Sequence, residues 1–277
     1  MGGPFSPDEM AEIVRRIRRE GGLPDNPFRI DEVRYEPQGD KLFIIAHDRT
    51  DKSIIIGNSY VIGKLREELG VRQLTVYSTL DLMIKRRKLE EAEGLVRGTP
   101  LEFLLPIIEA EKDFPPRRWP PVRGDADVLV FLSFNARALM GFAERLGLRT
   151  RVVGIEHTFP RMEYEVIDAP IRWLFFPEEE GLAGLASEEG FRLVLADFGR
   201  PLVSAGGVFL LNPFRLLHIG FFELKYLFGF ERPAVFEPHD LIEFITSLTY
   251  DGLMESADGA RILWRMLRRR WKGRRGR

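Results

Sequence analysis

Cysteine is absent from the 277 residues of the chain, so disulfides, thiolate nucleophiles and zinc sites built on sulfur are excluded. Asparagine and glutamine are scarce, at four and two residues, while charged residues make up 30% of the chain. Few thermolabile residues combined with many charges are typical of thermophilic proteins. The first eight residues lack the apolar segment of a signal peptide, so we expect a cytoplasmic protein.

Motifs that would name a reaction are also missing. The patterns GxGxxG, GxSxG and HExxH do not occur. The segment from Gly57 to Gly63-Lys64 approaches a Walker motif, but its glycines are one residue too far apart and Leu65 replaces the magnesium-binding hydroxyl. The sequence therefore names neither a cofactor nor a reaction.

Short apolar segments alternate with helical segments along much of the chain. Strands are predicted at 28–33, 41–46, 52–56, 73–77, 127–131, 151–155, 172–176, 191–196 and 208–211, the first two as a hairpin. Strand and helix units repeating at intervals of about 20 to 30 residues favour a mostly parallel sheet with right-handed crossovers. We expect a Rossmann-like, doubly wound α/β fold rather than a closed eight-unit barrel, because there are about six such units.

The expected organisation has three parts. Residues 1–50 form an N-terminal helix and hairpin, residues 51–200 the Rossmann-like domain, and residues 201–277 a mainly helical region with a basic tail. One long buried helix is predicted at Phe214–Phe230, which is too interrupted by charges for a membrane span. Four prolines within residues 113–124 indicate either a linker or a wide crossover inside one sheet.

Polar residues follow the predicted strands, where open α/β sheets bind ligands. The candidate ligand-binding residues are Gly57, Asn58, Ser59, Ser78, Thr79, Asp81, Ser133, Asn135 and Arg137, and the later strands add Glu156, His157, Thr158, Glu178 and Asp197. The first three would open a helix after a strand, where free backbone N–H groups bind phosphate or carboxylate. The alternative is that these residues are helix caps, since Ser, Thr, Asn and Asp are the usual caps.

Three of these side chains point to particular chemistry. Arg137 opposes the dipole in the first turn of its helix, so it calls for an anionic partner, either a ligand phosphate or a carboxylate such as Asp81. His157, with Glu156 beside it, is the best candidate for a general acid or base, although a loop histidine more often only hydrogen-bonds the backbone.

The acidic residues near His157 do not form a recognised metal pattern. Glu163, Glu165 and Asp168 follow it and could bind a hard divalent cation, but their spacing matches no known motif, so no metal is predicted. His239-Asp240 precedes a predicted helix and is interpreted as a helix start.

The C-terminus is strongly basic. Residues 261–277 contain nine Arg or Lys and no acid; because the whole chain carries −1, the other 260 residues carry −10. Arg268, Arg269, Arg270 and Lys272, interleaved with tryptophans, are candidates for binding nucleic acid. An anionic membrane surface and a purely solubilising end are the alternatives.

Two functional hypotheses follow from these patterns. In the first, the protein binds a nucleotide or another phosphorylated small molecule at the strand ends, with acid–base or transferase chemistry at His157. In the second, it is a non-enzymatic module that senses a nucleotide and binds nucleic acid or a partner through the basic C-terminal helix and tail. The sequence leaves the oligomeric state and the choice between enzyme and binding module open.

Overall fold

The computed structural model describes residues 5–37, 39–57, 60–114, 118–124 and 126–274, without the side chains of Ala257 and of residues 269–274. It is a mixed α/β protein with a three-stranded sheet and a six-stranded, mostly parallel sheet. Internal contacts divide the chain into two compact units, Met1–Arg87 with Lys112–Arg117 and Lys88–Glu111 with Arg118–Arg277. The domain boundaries at residues 50 and 200 stay a prediction.

The first unit, which we call the N-terminal unit, contains the three-stranded sheet. Its elements are helix α1 (Pro7–Glu20), strands β1 (Ile30–Glu36) and β2 (Lys41–Ala46), helices α2 (Arg49–Ile56) and α3 (Tyr60–Leu69), strand β3 (Gln73–Ser78) and the start of helix α4 (Thr79–Val96). The order is β1-β2-β3, with β1 antiparallel to β2 and β2 parallel to β3. The predicted hairpin is confirmed, and β3 extends it into a sheet.

Helix α1 begins with a capping box. The Glu9 N–H donates to the Ser6 hydroxyl at 3.2 Å, while the Ser6 N–H donates to the Glu9 carboxylate at 2.7 Å. Met10, Val14 and Ile17 recur at helical spacing and are buried in the core of this unit. The capping box and the spacing of the apolar residues were therefore sufficient to predict this helix from the sequence.

The strand predicted at 52–56 is wrong, since these residues belong to α2. The Asp48 side chain caps this helix by accepting a backbone N–H of its first turn at 2.8 Å. Lys52 and Ile55, three residues apart, are its buried side chains. Gly57 ends the helix with a left-handed φ of 53°. The isoleucine run favoured a strand by propensity, but the cap and one-sided burial favour a helix.

The second unit, called here the six-stranded unit, holds the larger sheet. Its elements are the remainder of α4, helix α5 (Leu105–Lys112), β4 (Asp127–Phe131), α6 (Ala136–Arg145), β5 (Arg149–Ile155), β6 (Glu165–Ile167), α7 (Glu179–Glu188), β7 (Leu193–Leu195), β8 (Leu202–Ala205), β9 (Val208–Leu211), α8 (Pro213–Leu216), α9 (Phe221–Phe228), α10 (Pro238–Tyr250) and α11 (Ser256–Arg274), with short 3-10 helices at Glu102–Leu104 and Ile171–Leu174.

The order of the strands in this sheet is β6-β5-β4-β7-β9-β8. All neighbours are parallel except β8, which is antiparallel to β9. From β4 the chain adds β5 and β6 on one side, then returns to place β7 on the other side. Val128 and Val130 face one core cluster while Leu129 and Phe131 face another, so the prediction that this strand is buried on both faces is confirmed.

Two other predicted elements differ from the structure. Residues 172–176 were expected to form a strand, but residues 172–174 belong to a short 3-10 helix that follows Pro170, and the Pro170 carbonyl accepts the Trp173 N–H. The single helix predicted at Phe214–Phe230 is two helices, α8 and α9. His218, with a φ of 45°, lies between them, and Gly220 is the N-cap of α9. Phe214, Phe221 and Leu224 are buried as predicted, but Tyr226 and Leu227 are exposed, and the prediction of one continuous helix is wrong.

Aromatic side chains pack where β4 ends. The ring of Phe134 lies 5.1 Å from Phe244, 5.4 Å from both Phe175 and Phe230, and 6.0 Å from Phe221, measured between centroids. These residues come from four separate segments that meet over the sheet. Among the described residues, no helix has the length and apolar character required to cross a membrane.

Candidate functional site

The predicted site residues are divided between the two units. Gly57, Ser78, Thr79 and Asp81 belong to the N-terminal unit, whereas Ser133, Asn135, Arg137, Glu156 and His157 belong to the six-stranded unit. Asn58 and Ser59 lie outside the described residues.

In the N-terminal unit, Ser78 and Asp81 cap helix α4. The Asp81 N–H donates to the Ser78 hydroxyl at 3.1 Å, and the Ser78 N–H donates to the Asp81 carboxylate at 3.0 Å. Lys52 and Arg49 also bind this carboxylate, at 2.7 and 3.0 Å. Burial acts to raise the pKa of Asp81, but the hydrogen bond and charge of Lys52 outweigh it and lower the pKa. The capping interpretation therefore accounts for both side chains.

The position of Gly57 removes the strand-to-helix loop on which its anion site was based. This residue ends α2 by donating its N–H to the Ser53 carbonyl, and no strand precedes it. A carbon at its Cβ position would lie 2.2 Å from the Val61 side chain, so close packing as well as the left-handed backbone requires glycine here. Helix termination and packing explain the glycine without a ligand.

A histidine–carboxylate pair that the sequence analysis did not single out lies near Thr79. The Nδ1 of His47 is 3.0 Å from the Asp31 carboxylate, to which the Thr79 hydroxyl donates at 3.4 Å. Burial acts to raise the pKa of Asp31, but its partners His47 and Arg29 prevail and lower it. Ile30 pairs with Ala46 across the predicted hairpin, and Asp31 and His47 are the residues that follow them in the sequence. The hairpin register was therefore the signal that could have predicted this pair.

In the six-stranded unit, four polar side chains form a buried cluster around Asp197, which we call the Asp197 cluster. The Asn135 and Asn212 amides donate to the two carboxylate oxygens at 2.5 and 3.0 Å, and the Asp197 N–H donates to the Ser133 hydroxyl at 3.0 Å. All four residues are buried. Burial raises the pKa of Asp197, although the Arg215 charge and both amides act in the opposite direction.

The Asp197 cluster lies where the sheet reverses its winding. Ser133 and Asn135 follow β4, Asp197 follows β7, and Asn212 follows β9. The strands β4 and β7 are adjacent and parallel, so their carboxyl ends meet at the same edge. In open α/β sheets this reversal is the topological switch point, beside which ligands bind.

The side chain at the N-cap position of helix α6 does not cap this helix. Asn135 occupies the N-cap position, but its side chain makes no cap hydrogen bond and its amide donates to Asp197 instead. In the first turn, Arg137 pairs with Glu231 at 3.0 Å. The carboxylate partner considered from the sequence for this arginine was Asp81, but the structure pairs it with Glu231. An uncapped helix start with a cation beside it is suited to an anion.

The carboxyl end of the neighbouring strand β5 presents Glu156 and His157. The His157 side chain is 83% exposed, and its Nε2 lies 3.1 Å from the Glu156 carboxylate. Its backbone has a φ of 58°, in the left-handed region. The next residue, Thr158, is fully buried, and its hydroxyl has no hydrogen-bond partner among the described residues. A buried hydroxyl without a partner is unfavourable unless something else satisfies it.

A group of residues with metal-binding side chains starts helix α10. The ligand atoms of His239, Asp240 and Glu243 lie within 4.8 Å of one another. The Arg172 guanidinium already donates to Asp240 at 2.5 Å and to Glu243 at 3.1 Å. Because a protein cation is bound to both carboxylates, these residues are explained without a metal. Glu165, which was considered as a ligand from the sequence, pairs with Arg151.

Of the predicted nucleic-acid-binding residues, Arg268 is described together with its side chain. Its guanidinium lies over the Trp264 ring, with 5.8 Å between the guanidinium carbon and the ring centroid. The side chains of Arg269, Arg270 and Lys272 lie outside the described residues.

Comparison of the chain with protein-family models, with curated proteins and with solved structures found no match.

Proposed function

We propose that the six-stranded unit is a Rossmann-like, doubly wound domain that binds a nucleotide or another phosphorylated small molecule beside the Asp197 cluster. The order β6-β5-β4-β7 supports this proposal because it puts a topological switch point between β4 and β7. The later strands β8 and β9 extend the sheet on the far side and do not change this arrangement.

The observation that carries the proposal is the uncapped N-terminus of α6 at that switch point. The side chain in the N-cap position, Asn135, is bound to Asp197 and does not accept a first-turn N–H. The Ala136 and Ala138 N–H groups already donate to the Ser133 and Asn135 carbonyls. A phosphate oxygen could accept the Arg137 N–H between them, favoured by the helix dipole and by the Arg137 side chain. On binding, the phosphate would compete with Glu231 for this arginine.

The loop after β5 supplies the remaining groups. The Thr158 hydroxyl, which has no hydrogen-bond partner among the described residues, is a suitable donor or acceptor for a bound ligand. His157 and Glu156 lie in the same loop, at the carboxyl end of β5, which is the neighbour of β4. Acid–base or transferase chemistry by His157 is part of this proposal.

The test is a thermal-shift screen of the whole chain with ATP, GTP, NAD, S-adenosylmethionine and sugar phosphates, with and without magnesium. A ligand at about 100 times its dissociation constant adds roughly 2.7 kcal/mol to the free energy of unfolding, which gives a clear shift. Arg137→Glu should abolish the shift by repelling the phosphate. Thr158→Val, which removes the hydroxyl and keeps the shape, should weaken binding with little effect on stability.

Arg149→Glu is the matched control. Arg149 is an exposed arginine that pairs with the Asp127 carboxylate, but it begins β5 and so lies at the opposite end of the strands. This variant should bind as the wild type does. The proposal fails if none of the probes shifts the wild type, or if Arg137→Glu and Arg149→Glu bind equally well.

A further inference from the structure

The C-terminal helix α11 docks its apolar face onto the protein. Met266 is 5% exposed and belongs to the core of the six-stranded unit. Ile262, Leu263 and Leu267 pack against the same core. The apolar face that an amphipathic helix would insert into a membrane is therefore already covered by the protein's own side chains.

The outward face of α11 carries an unusual combination of residues. Trp264 is 65% exposed, whereas large aromatic side chains are normally buried. Arg265 is exposed one residue later, and Arg268 lies over the indole ring one helical turn further on. The helix therefore offers water an indole surface flanked by guanidinium groups.

Charge separates this end of the chain from the remainder. Residues 261–277 carry nine Arg or Lys without an acid, while the other 260 residues carry −10. Within the described part, Arg261 is neutralised by Asp258. A polyanion is attracted to this basic segment by its positive charge. It would bind at this end of the chain only, since the net negative charge of the remaining residues repels it.

We propose that α11 binds single-stranded nucleic acid, with a base stacked on Trp264 and phosphates on Arg265 and Arg268. Each part of the arrangement has a role in this proposal. Aromatic side chains provide stacking surfaces that tolerate any base, and cations track the phosphates. The surface lies outside the nucleotide site proposed above, and the two proposals stand independently.

The experiment measures the binding of labelled oligonucleotides of about 16 nucleotides, both RNA and DNA, by fluorescence anisotropy over a series of salt concentrations. Trp264→Ala should weaken binding roughly 5- to 100-fold through the loss of one stacked base. Arg265→Gln and Arg268→Gln should each reduce the slope of log affinity against log salt by about 0.7. Since these side chains are exposed, thermal unfolding of the variants should match that of the wild type.

Tyr250→Ala is the control, because Tyr250 is an aromatic side chain 92% exposed at the end of α10, outside the basic helix. It should bind oligonucleotides as the wild type does. The proposal is overturned if Trp264→Ala and Tyr250→Ala weaken binding equally, or if affinity is independent of salt. Binding to phosphatidylserine vesicles without binding to oligonucleotides would also overturn it and favour a membrane surface.

Discussion

Both sheets end in similar polar residues, but these residues do different things. In the N-terminal unit, Ser78 and Asp81 after β3 bond to each other and cap the next helix. In the six-stranded unit, Ser133 and Asn135 after β4 bond to Asp197 from another strand, and their helix is left without a side-chain cap. The same residue types after a strand thus become a local cap or a long-range cluster, depending on whether a neighbouring strand brings an acceptor.

The largest expected effect is on stability, and it compares the packing of one phenylalanine at each sheet. Phe134→Ala should cost about 4 to 5 kcal/mol in the free energy of unfolding, because this buried ring contacts four other phenylalanines that cannot all close the cavity. Phe43→Ala in the three-stranded sheet should cost about 3 kcal/mol, since among the described aromatic rings its partner is Phe114. Urea unfolding measures both. Equal losses would contradict the difference in packing.

The carboxylates of Asp197 and Asp81 should make stability depend on pH in opposite directions. The pKa of Asp197 is raised, so its contribution is present below the unfolded pKa and is lost as the pH rises through the folded pKa. The pKa of Asp81 is lowered, so its contribution is present above the unfolded pKa and is lost as the pH falls through the folded pKa. Between the two pKa values of a group the slope approaches about 1.4 kcal/mol per pH unit.

The variants Asp197→Asn and Asp81→Asn test these signs, because each removes one titrating group and keeps its shape. Urea unfolding as a function of pH should show that Asp197→Asn reduces the loss of stability on the alkaline side of the ordinary aspartate pKa. Asp81→Asn should reduce the loss on its acidic side. If both variants change the profile in the same direction, the contrast between the two carboxylates is wrong.

A smaller effect is expected from the cap itself. Ser78→Ala should cost about 1 kcal/mol, because helix α4 loses the side-chain acceptor for the Asp81 N–H. It should leave the ligand response of the six-stranded unit unchanged, since Ser78 belongs to the other unit. Urea unfolding and the thermal-shift screen measure the two effects. Loss of the ligand response in this variant would mean that Ser78 is more than a cap.

The sequence was sufficient where the signal was local. The capping box at Ser6 and the continuous apolar run at Asp127–Phe131 depend on neighbours in the chain, and both elements were predicted. Residues 52–56 show the limit of such signals. Their three isoleucines have high strand propensity. The side-chain cap at Asp48 and the burial of one face nevertheless favour a helix.

The Asp197 cluster could not be derived in the same way. Asn135 and Asp197 are 62 residues apart, and Asn212 reaches the same carboxylate because β7 pairs with β9. Strand order is set by tertiary packing, and alternation of strands and helices does not specify it. One signal was present in the sequence: the chain has only four asparagines, and two of them follow predicted strands and bind Asp197.

The smallest expected effect on stability concerns His157, where backbone and chemistry can be separated. The left-handed φ of His157 is unfavourable for a residue with a Cβ. Glycine would remove this strain, but it loses more conformational entropy on folding, and the two effects oppose each other. The side chain is exposed, so His157→Gly should change the free energy of unfolding by less than about 0.5 kcal/mol. Asparagine tolerates a left-handed backbone, so His157→Asn should change the free energy of unfolding equally little. If His157 is an acid or base, both variants will still bind the ligand found by the screen but will lose its turnover. Turnover retained by both variants would leave His157 as a turn residue and confine the proposal to binding.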